Sequence, residues 1–134
     1  MPNRDVPHPP IRAFRADDMV TIAAPLAGLA PEDITVEVTG KGHVILDARL
    51  VDAPGEEYGT IKSDKEVLVD EWDLSPIHRD IALNVAVDGE SATMTYRNGV
   101  LVVALPVARK TRPAHLRLEA VGGAQGERIT RPNP

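Results

Sequence analysis

The chain has 134 residues, of which 43% are hydrophobic and 3% aromatic, and it contains no cysteine. This length is typical of one domain, and the lack of cysteine excludes a disulfide framework, a thiolate nucleophile and a cysteine-based metal site. The formal net charge of −5 argues against a general nucleic-acid binder, which usually presents a basic face. No stretch approaches the roughly 18 apolar residues of a membrane span, and no signal-peptide core is visible. We therefore expect a soluble, cytoplasmic protein that binds neither nucleic acid nor membrane.

The composition divides the chain into three parts. Residues 1–12 are polar and rich in proline, which predicts a short extended N-terminal arm. Residues 13–107 carry a periodic apolar pattern and are predicted to form the domain. From residue 108 the sequence becomes basic and then rich in glycine, which predicts a flexible C-terminal extension over residues 108–134.

The apolar residues of the domain recur with a period of two, which is typical of strands that bury one face. In chain order, the predicted strands are MVTIAA, ITVEV, HVILDARL, IHRDIAL, SATMTY and LVVAL. Turn signals separate them, and the APED segment predicts one helical turn at most. Short alternating strands at this spacing predict an all-β fold, an antiparallel β-sandwich.

A long connection of about 26 residues, mostly charged, separates the third and fourth of these strands. Loops of this length inside a compact domain are usually functional. Within it, the EVLVDEW segment alternates like a strand. An isolated strand needs a sheet to join, and that sheet can belong to its own sandwich or to a partner's.

The dipeptide Asn98-Gly99 stands directly before the last apolar run, which begins with Val100 and Leu101. Both residues of this dipeptide tolerate positive φ, so the pair predicts a tight hairpin turn. A phosphate-binding loop would need more glycines and a following helix, whereas this run ends at Pro106.

Catalytic or metal-binding chemistry has little support in the sequence. The four histidines lack ligand spacing on any predicted helix. A metal pair of His43 and His78 across strands is conceivable, but solvent-facing imidazoles are the simpler interpretation. Acidic residues occur as adjacent pairs, and neighbours on a strand point to opposite faces, which makes them poor acid–base partners. We predict no enzyme activity, no cofactor and no metal.

The C-terminal extension contains one short apolar island, HLRLEAV. If the segment is extended, Leu116 and Leu118 point to the same side and can fill two pockets on another sheet. Each buried leucine contributes roughly 1.5–3 kcal/mol at best, and ordering the segment offsets part of that. The alternative is that these are simply two leucines in a tail.

Together, these motifs resemble the small heat-shock protein family, whose shared unit is the α-crystallin domain. YRNGVLVVALP resembles the family's signature near the end of that domain, and IHRDIALNVAVD resembles its Phe-x-Arg-x-Ile-x-Leu-Pro stretch. The MVTIAAPLAGLAPEDITVEV segment resembles the family's opening, and HLRL lies where the family carries an Ile-x-Ile tail motif. The resemblance runs from Ala13 to Leu118.

This resemblance implies an immunoglobulin-like sandwich of seven to nine strands that holds unfolding proteins without ATP. It implies a homodimer, possibly a larger oligomer, formed when the loop strand of one copy crosses to another. The residues it assigns to this exchange are Glu66, Val67, Leu68, Val69, Trp72 and Arg79. It implies that Leu116 and Leu118 dock in a neighbour's groove between ITVEV and SATMTY. The candidate surfaces for groove and client binding are Val36, Val38, Ala92, Met94, Ile11 and Phe14.

The sequence also departs from the family pattern. Met94 stands where the signature has alanine, which predicts crowding of the groove, and the N-terminal arm is short and poorly apolar. We therefore expect small assemblies, such as dimers. Two other functions stay open: a sandwich that acts as a co-chaperone or adaptor without holding activity, which should be monomeric, and an enzyme, which a bound metal or cofactor would indicate.

Overall fold

The computed structural model describes residues 9–49, 66–71, 75–120 and 126–132. In this part of the chain, nine strands and two short 3-10 turns follow one another. The strands are β1 (Arg12–Ala16), β2 (Met19–Pro25), β3 (Ile34–Val38), β4 (His43–Ala48), β5 (Ile77–Ala82), β6 (Thr93–Arg97), β7 (Val100–Pro106), β8 (Ala114–Ala120) and β9 (Gly126–Pro132). The 3-10 turns are Pro31–Asp33, at the predicted APED turn, and Gly89–Ser91.

The strands pair antiparallel in the order β1-β2-β7-β6-β9-β8-β3-β4-β5. Strands β1, β2, β7 and β6 form one layer of a sandwich, and β8, β3, β4 and β5 form the other. Strand β9 pairs with β8 along seven residues but meets β6 only at Tyr96 and Gly126. The β8–β9 hairpin therefore joins the two layers along one side, which leaves β1 and β5 as the two end strands.

One apolar core lies between the layers, as the period of two predicts. In β3 and β6 every second residue is buried, and the buried residues of both layers form a single cluster. Tyr96 is 1% exposed, and its hydroxyl lies 2.6 Å from the carbonyl oxygen of Leu26 and 2.8 Å from that of Leu29. The prediction of an all-β antiparallel sandwich is confirmed.

The hairpin turn between β6 and β7 also forms where the sequence predicts it. Asn98 and Gly99 have φ values of 53° and 77°, which matches a two-residue turn with both residues left-handed. A Cβ atom on Gly99 would lie 2.9 Å from the Cα of Ala27, and the Leu26 amide donates to the Gly99 carbonyl at 2.6 Å. Glycine is needed here both for φ and for the close approach of a neighbouring loop.

Two sequence predictions need correction. Strand β1 begins at Arg12, inside the predicted arm, and every residue of this strand is exposed. The core does not end at residue 107, because Ala114, Leu116 and Leu118 belong to the same cluster. The extension is therefore not a free tail over β8 and β9. Residues 66–71 lie in no strand of this chain, and their pairing with the sheet of another copy stays a prediction.

Candidate functional site

The histidines of the two strands β4 and β5 lie beside carboxylates of the opposite strand. His43 Nδ1 is 2.6 Å from Asp80 Oδ1, and His78 Nδ1 is 2.6 Å from Asp47 Oδ1. These pairs are largely exposed, and no group of three metal-binding side chains occurs among the described residues. The geometry gives the His43/His78 metal pair no support, so surfaces for association are the candidate sites.

The predicted tail-docking motif is already docked, and in its own chain. Leu116 lies in β8 opposite Val36 of β3 and is 1% exposed, while Leu118 is 6% exposed. The hairpin that carries both leucines lies between β3 and β6, which is the groove that the prediction reserved for a neighbour's tail. In this chain its own tail fills the site, and docking on another copy stays a prediction.

The residues predicted to line an open groove are core residues. Val36, Val38, Ala92 and Met94 are all 2% exposed or less, so in this conformation they offer no surface to a client. Met94 does not disturb its sheet, since it pairs with Val103 and the β6–β7 ladder continues on both sides of it. The crowding predicted from Met94 is not seen.

Two elements of the described chain lack a pairing partner on at least one edge: the end strand β1 and the exposed segment 66–71. Among the described strands, β1 pairs with β2 only, so its other edge has free backbone groups. Val67, Leu68 and Val69 are 61%, 83% and 73% exposed. Glu66 is also exposed, and Trp72 lies outside the described residues. The apolar segment is thus available to another chain.

Arg79, which the resemblance grouped with the loop segment, has a different contact. It lies on β5, is half-buried, and its guanidinium donates to the Pro9 carbonyl at 2.6 Å. This bond connects β5 to the segment just before β1, across the side of the sandwich that has no hairpin. Arg79 therefore tethers the two end strands of the sheet.

The sequence predicted only one of three exposed apolar residues in one layer of the sandwich. Phe14, Met19 and Val100 are 47%, 40% and 41% exposed, and they lie on β1, β2 and β7, which are neighbours in one layer. Of these, only Phe14 was a predicted client residue; Ile11, predicted with it, is half-buried against the core. The sequence did contain a signal for the other two residues. Met19 and Val100 are apolar at outward-facing positions, where the alternating pattern calls for a polar residue.

Comparison with known families decides the assignment. The model of the Hsp20/alpha crystallin family matches residues 13–118. The chain belongs to this family. Strand β9 lies beyond the residues that the family model matches.

Several small heat-shock proteins share the fold. Heat shock protein 16.0 from Schizosaccharomyces pombe has 19% identity and a TM-score of 0.61, covering 84% of this chain and 94% of its own. The hspA protein from Xanthomonas axonopodis has 22% identity and a TM-score of 0.61, covering 81% and 100%. A small heat-shock protein from Xylella fastidiosa, described as having a distinct high order structure, has 22% identity and a TM-score of 0.59, covering 84% and 94%.

No protein with a curated description matches the chain by sequence. In the part of the chain that the structure describes, no helix has the length and apolar character needed to cross a membrane.

Proposed function

We propose that this protein is an ATP-independent holdase that binds partly unfolded proteins and limits their aggregation. The observation that carries the proposal is the match to the Hsp20/alpha crystallin family over residues 13–118, a chaperone family whose activity does not depend on catalysis. The cysteine-free composition suits a reducing compartment, and we propose the cytoplasm.

The exposed apolar face supports this proposal physically. Unfolding proteins expose apolar surface, and contiguous exposed apolar patches on a folded protein mark interaction sites. Phe14 and Met19 lie near each other on neighbouring strands and provide such a surface, while Val100 is an exposed apolar residue at the far end of the β2–β7 pairing. A methionine adapts its shape to different partners, which suits binding to clients of unrelated sequence.

We propose that two copies dimerise by loop-strand exchange, with residues 66–71 of one copy adding to the free edge of β1 in the other. An exposed strand edge is a template for pairing with an extended segment. The charges are complementary, because β1 carries Arg12 and Arg15 while the segment carries Glu66, Asp70 and Glu71. Opposite charges across an interface increase specificity and the association rate.

The test measures client turbidity on heating, without ATP, together with mass by light scattering in the same buffer. We expect suppressed turbidity at stoichiometric ratios and the mass of a dimer. A Leu68→Asp variant should shift the mass toward a monomer, because it places a charge in the exchanged segment. The matched control is Lys41→Asp, which adds a carboxylate at an exposed turn and should leave the mass unchanged.

Two other outcomes would contradict parts of this proposal. Unchanged turbidity with several clients, together with a monomer mass, would fit the adaptor or co-chaperone instead. A dimer that persists in Leu68→Asp would contradict exchange through this segment while leaving the holding activity untouched.

A further inference from the structure

The two outer faces of the sandwich differ in charge. Residues directly opposite each other in an antiparallel pair have their side chains on the same side of the sheet, so the strand register assigns each outward position. The outer face of β8, β3, β4 and β5 carries ten residues, namely Thr35, Glu37, His43, Ile45, Asp47, His78, Asp80, Ala82, His115 and Arg117. Seven of these ten have titratable side chains, which is typical of a sheet face in contact with water.

The outer face of β1, β2, β7 and β6 is apolar instead. We call it the apolar outer face, and its residues are Arg12, Phe14, Ala16, Met19, Thr21, Ala23, Pro25, Thr93, Thr95, Arg97, Val100, Val102, Ala104 and Pro106. Nine of these fourteen are apolar, three are threonine and none is acidic. All are exposed or half-buried. Since polar residues are expected at such positions, this face has the composition of a contact surface.

The size of this face suits an extended segment better than a second copy of the chain. Its two central strands, β2 and β7, have seven residues each. Four strands at about 4.8 Å spacing, with about 3.3 Å per residue, give a planar area of roughly 400–450 Å². A stable protein–protein interface buries about 800 Å² on each partner, which is more than this face offers. An extended segment of about seven residues matches its length.

Two arginines at separate ends of the face set the charge of a matching segment. Arg12 is on the end strand β1, and its guanidinium carbon lies 5.7 Å from the centre of the Phe14 ring. Arg97 is on β6, three strands away. Neither forms a salt bridge within the part of the chain that the structure describes. Two copies packed through this face would contribute four arginines and no carboxylate, whereas a segment with a carboxylate at each end could pair with both arginines.

The strand geometry also gives the spacing of these carboxylates. Arg12 pairs in the row of Ala23 and Val102, and Arg97 pairs with Val100 in the next outward row. Three strand spacings and one such row correspond to roughly 15 Å between the two backbone positions, a length that about five extended residues span.

We propose that the apolar outer face binds an extended apolar segment of a partly unfolded protein, and that it prefers segments with carboxylates at both ends of about five apolar residues. The proposal rests on the proposed holding function, because it names the kind of client segment that is held. The preference is opposite to that expected from the whole chain, whose net charge of −5 attracts basic peptides. A preference for acidic ends therefore reports the local arginines.

Two fluorescent peptides test the preference with the full chain. Both have a core of five alternating leucine and valine residues, and one has two glutamates at each end while the other has two lysines. In fluorescence anisotropy titrations at low salt, we expect the glutamate peptide to bind about tenfold more tightly, because two attractive contacts replace two repulsive ones. The difference should decrease at high salt, which screens exposed charges.

Three variants assign the binding to this face. Arg97→Glu should remove the preference, because the two ends of the face then carry opposite charges. Arg117→Glu is its matched control, since it makes the same exchange at an exposed position of the other outer face and should keep the preference. Val100→Thr should weaken both peptides by a similar factor, because it removes apolar contact without a change of charge and keeps a residue that favours strands.

Three results would overturn the proposal. These are equal binding of the two peptides, a preference that survives Arg97→Glu, and a mass in solution that falls in Val100→Thr, since the last would place a second copy on the face. Client turbidity distinguishes this failure from failure of the proposed function. Suppressed turbidity with equal peptide binding would contradict only the segment preference, whereas a preference for the glutamate peptide without suppressed turbidity would support the binding face and contradict the holdase.

Discussion

The two long sides of this sandwich are built in opposite ways. On the side of β3 and β6, the β8–β9 hairpin continues the hydrogen-bonded sheet from one layer to the other, and its leucines are in the core. On the side of β1 and β5, the described contact between the layers is a bond from Arg79 to the Pro9 carbonyl, and β1 is exposed throughout. We call these the closed side and the open side.

This difference predicts that the closed side determines folding stability and that the open side determines self-association. A closed side buries apolar side chains and satisfies backbone groups, so a change there should cost folding free energy. An open side leaves a strand edge unpaired, so a change there should alter self-association and little else. Paired substitutions on the two sides test this division directly.

The largest expected effect compares one leucine of the closed side with one leucine of the exposed segment 66–71. Leu116→Ala on the closed side should lower the free energy of unfolding by about 2–5 kcal/mol, because it leaves a cavity in a packed core. Leu68→Ala in the exposed segment should change it by less than about 0.5 kcal/mol, because the side chain is exposed. Urea unfolding followed by circular dichroism measures both. Equal, small effects would mean that the hairpin contributes little to the fold.

A smaller effect is expected at Tyr96, the β6 residue that pairs with the hairpin. Tyr96→Phe removes the hydroxyl that lies between the Leu26 and Leu29 carbonyls, which should cost about 1–2 kcal/mol of stability. The variant should have the same mass in solution as the wild type, since the change is confined to the closed side.

The same variant has a predicted pH signature. Burial raises the pKa of the Tyr96 hydroxyl above its usual value. The unfolded state therefore loses this proton first, at its usual pKa of about 10. The tyrosine's stabilising effect should be complete below that pH and should decrease as the pH rises through the pKa of the folded state. The stability difference between wild type and Tyr96→Phe should accordingly shrink in alkaline urea titrations, and a constant difference would contradict it.

The sequence predicted the strands that bury one face, and the structure shows why others were missed. Strands β3 to β6 alternate apolar and mostly polar residues, β2 and β7 are largely apolar, and each of these strands has residues in the core or packed against it. Strand β1 has the sequence RAFRA and buries none of its residues, so it has no period to read. Strand β9, with two arginines, glutamate and proline in its seven residues, likewise lacks an alternating apolar pattern.

The sequence predicted the docking motif and the strands that border the groove, but it did not predict which chain's tail docks there. The sequence identified Leu116 and Leu118 as a docking motif and identified the strands on each side of the groove. Side-chain complementarity is the same whether the motif docks in its own chain or in another. The choice depends on the hydrogen bonds that fix Arg112 near Gly89, and these are backbone bonds that no residue pattern shows. For residues 66–71 the alternating pattern predicted a strand, but no strand of the described chain pairs with this segment.

A tether on the open side should have a moderate effect. Arg79→Ala removes the bond to the Pro9 carbonyl and should reduce stability by about 1 kcal/mol, the usual value for one hydrogen bond. Arg79→Lys is the matched control, since it keeps the charge and should retain part of the contact. Thermal unfolding of both variants against wild type measures the loss. A loss as large as that of Leu116→Ala would show that the open side also carries the fold.

The smallest effect should occur on the outer face of the open side. His78 and Asp47 lie 2.6 Å apart, but their side chains are 65% and 53% exposed. An exposed pair gains little Coulomb energy against water, and fixing two side chains offsets part of that gain. His78→Ala should therefore change the free energy of unfolding by less than about 0.5 kcal/mol, with Asp47→Ala as its partner control. Large losses in both single variants, with a double variant that loses clearly less than their sum, would show that this pair stabilises β5 and that the open side contributes more to stability than expected.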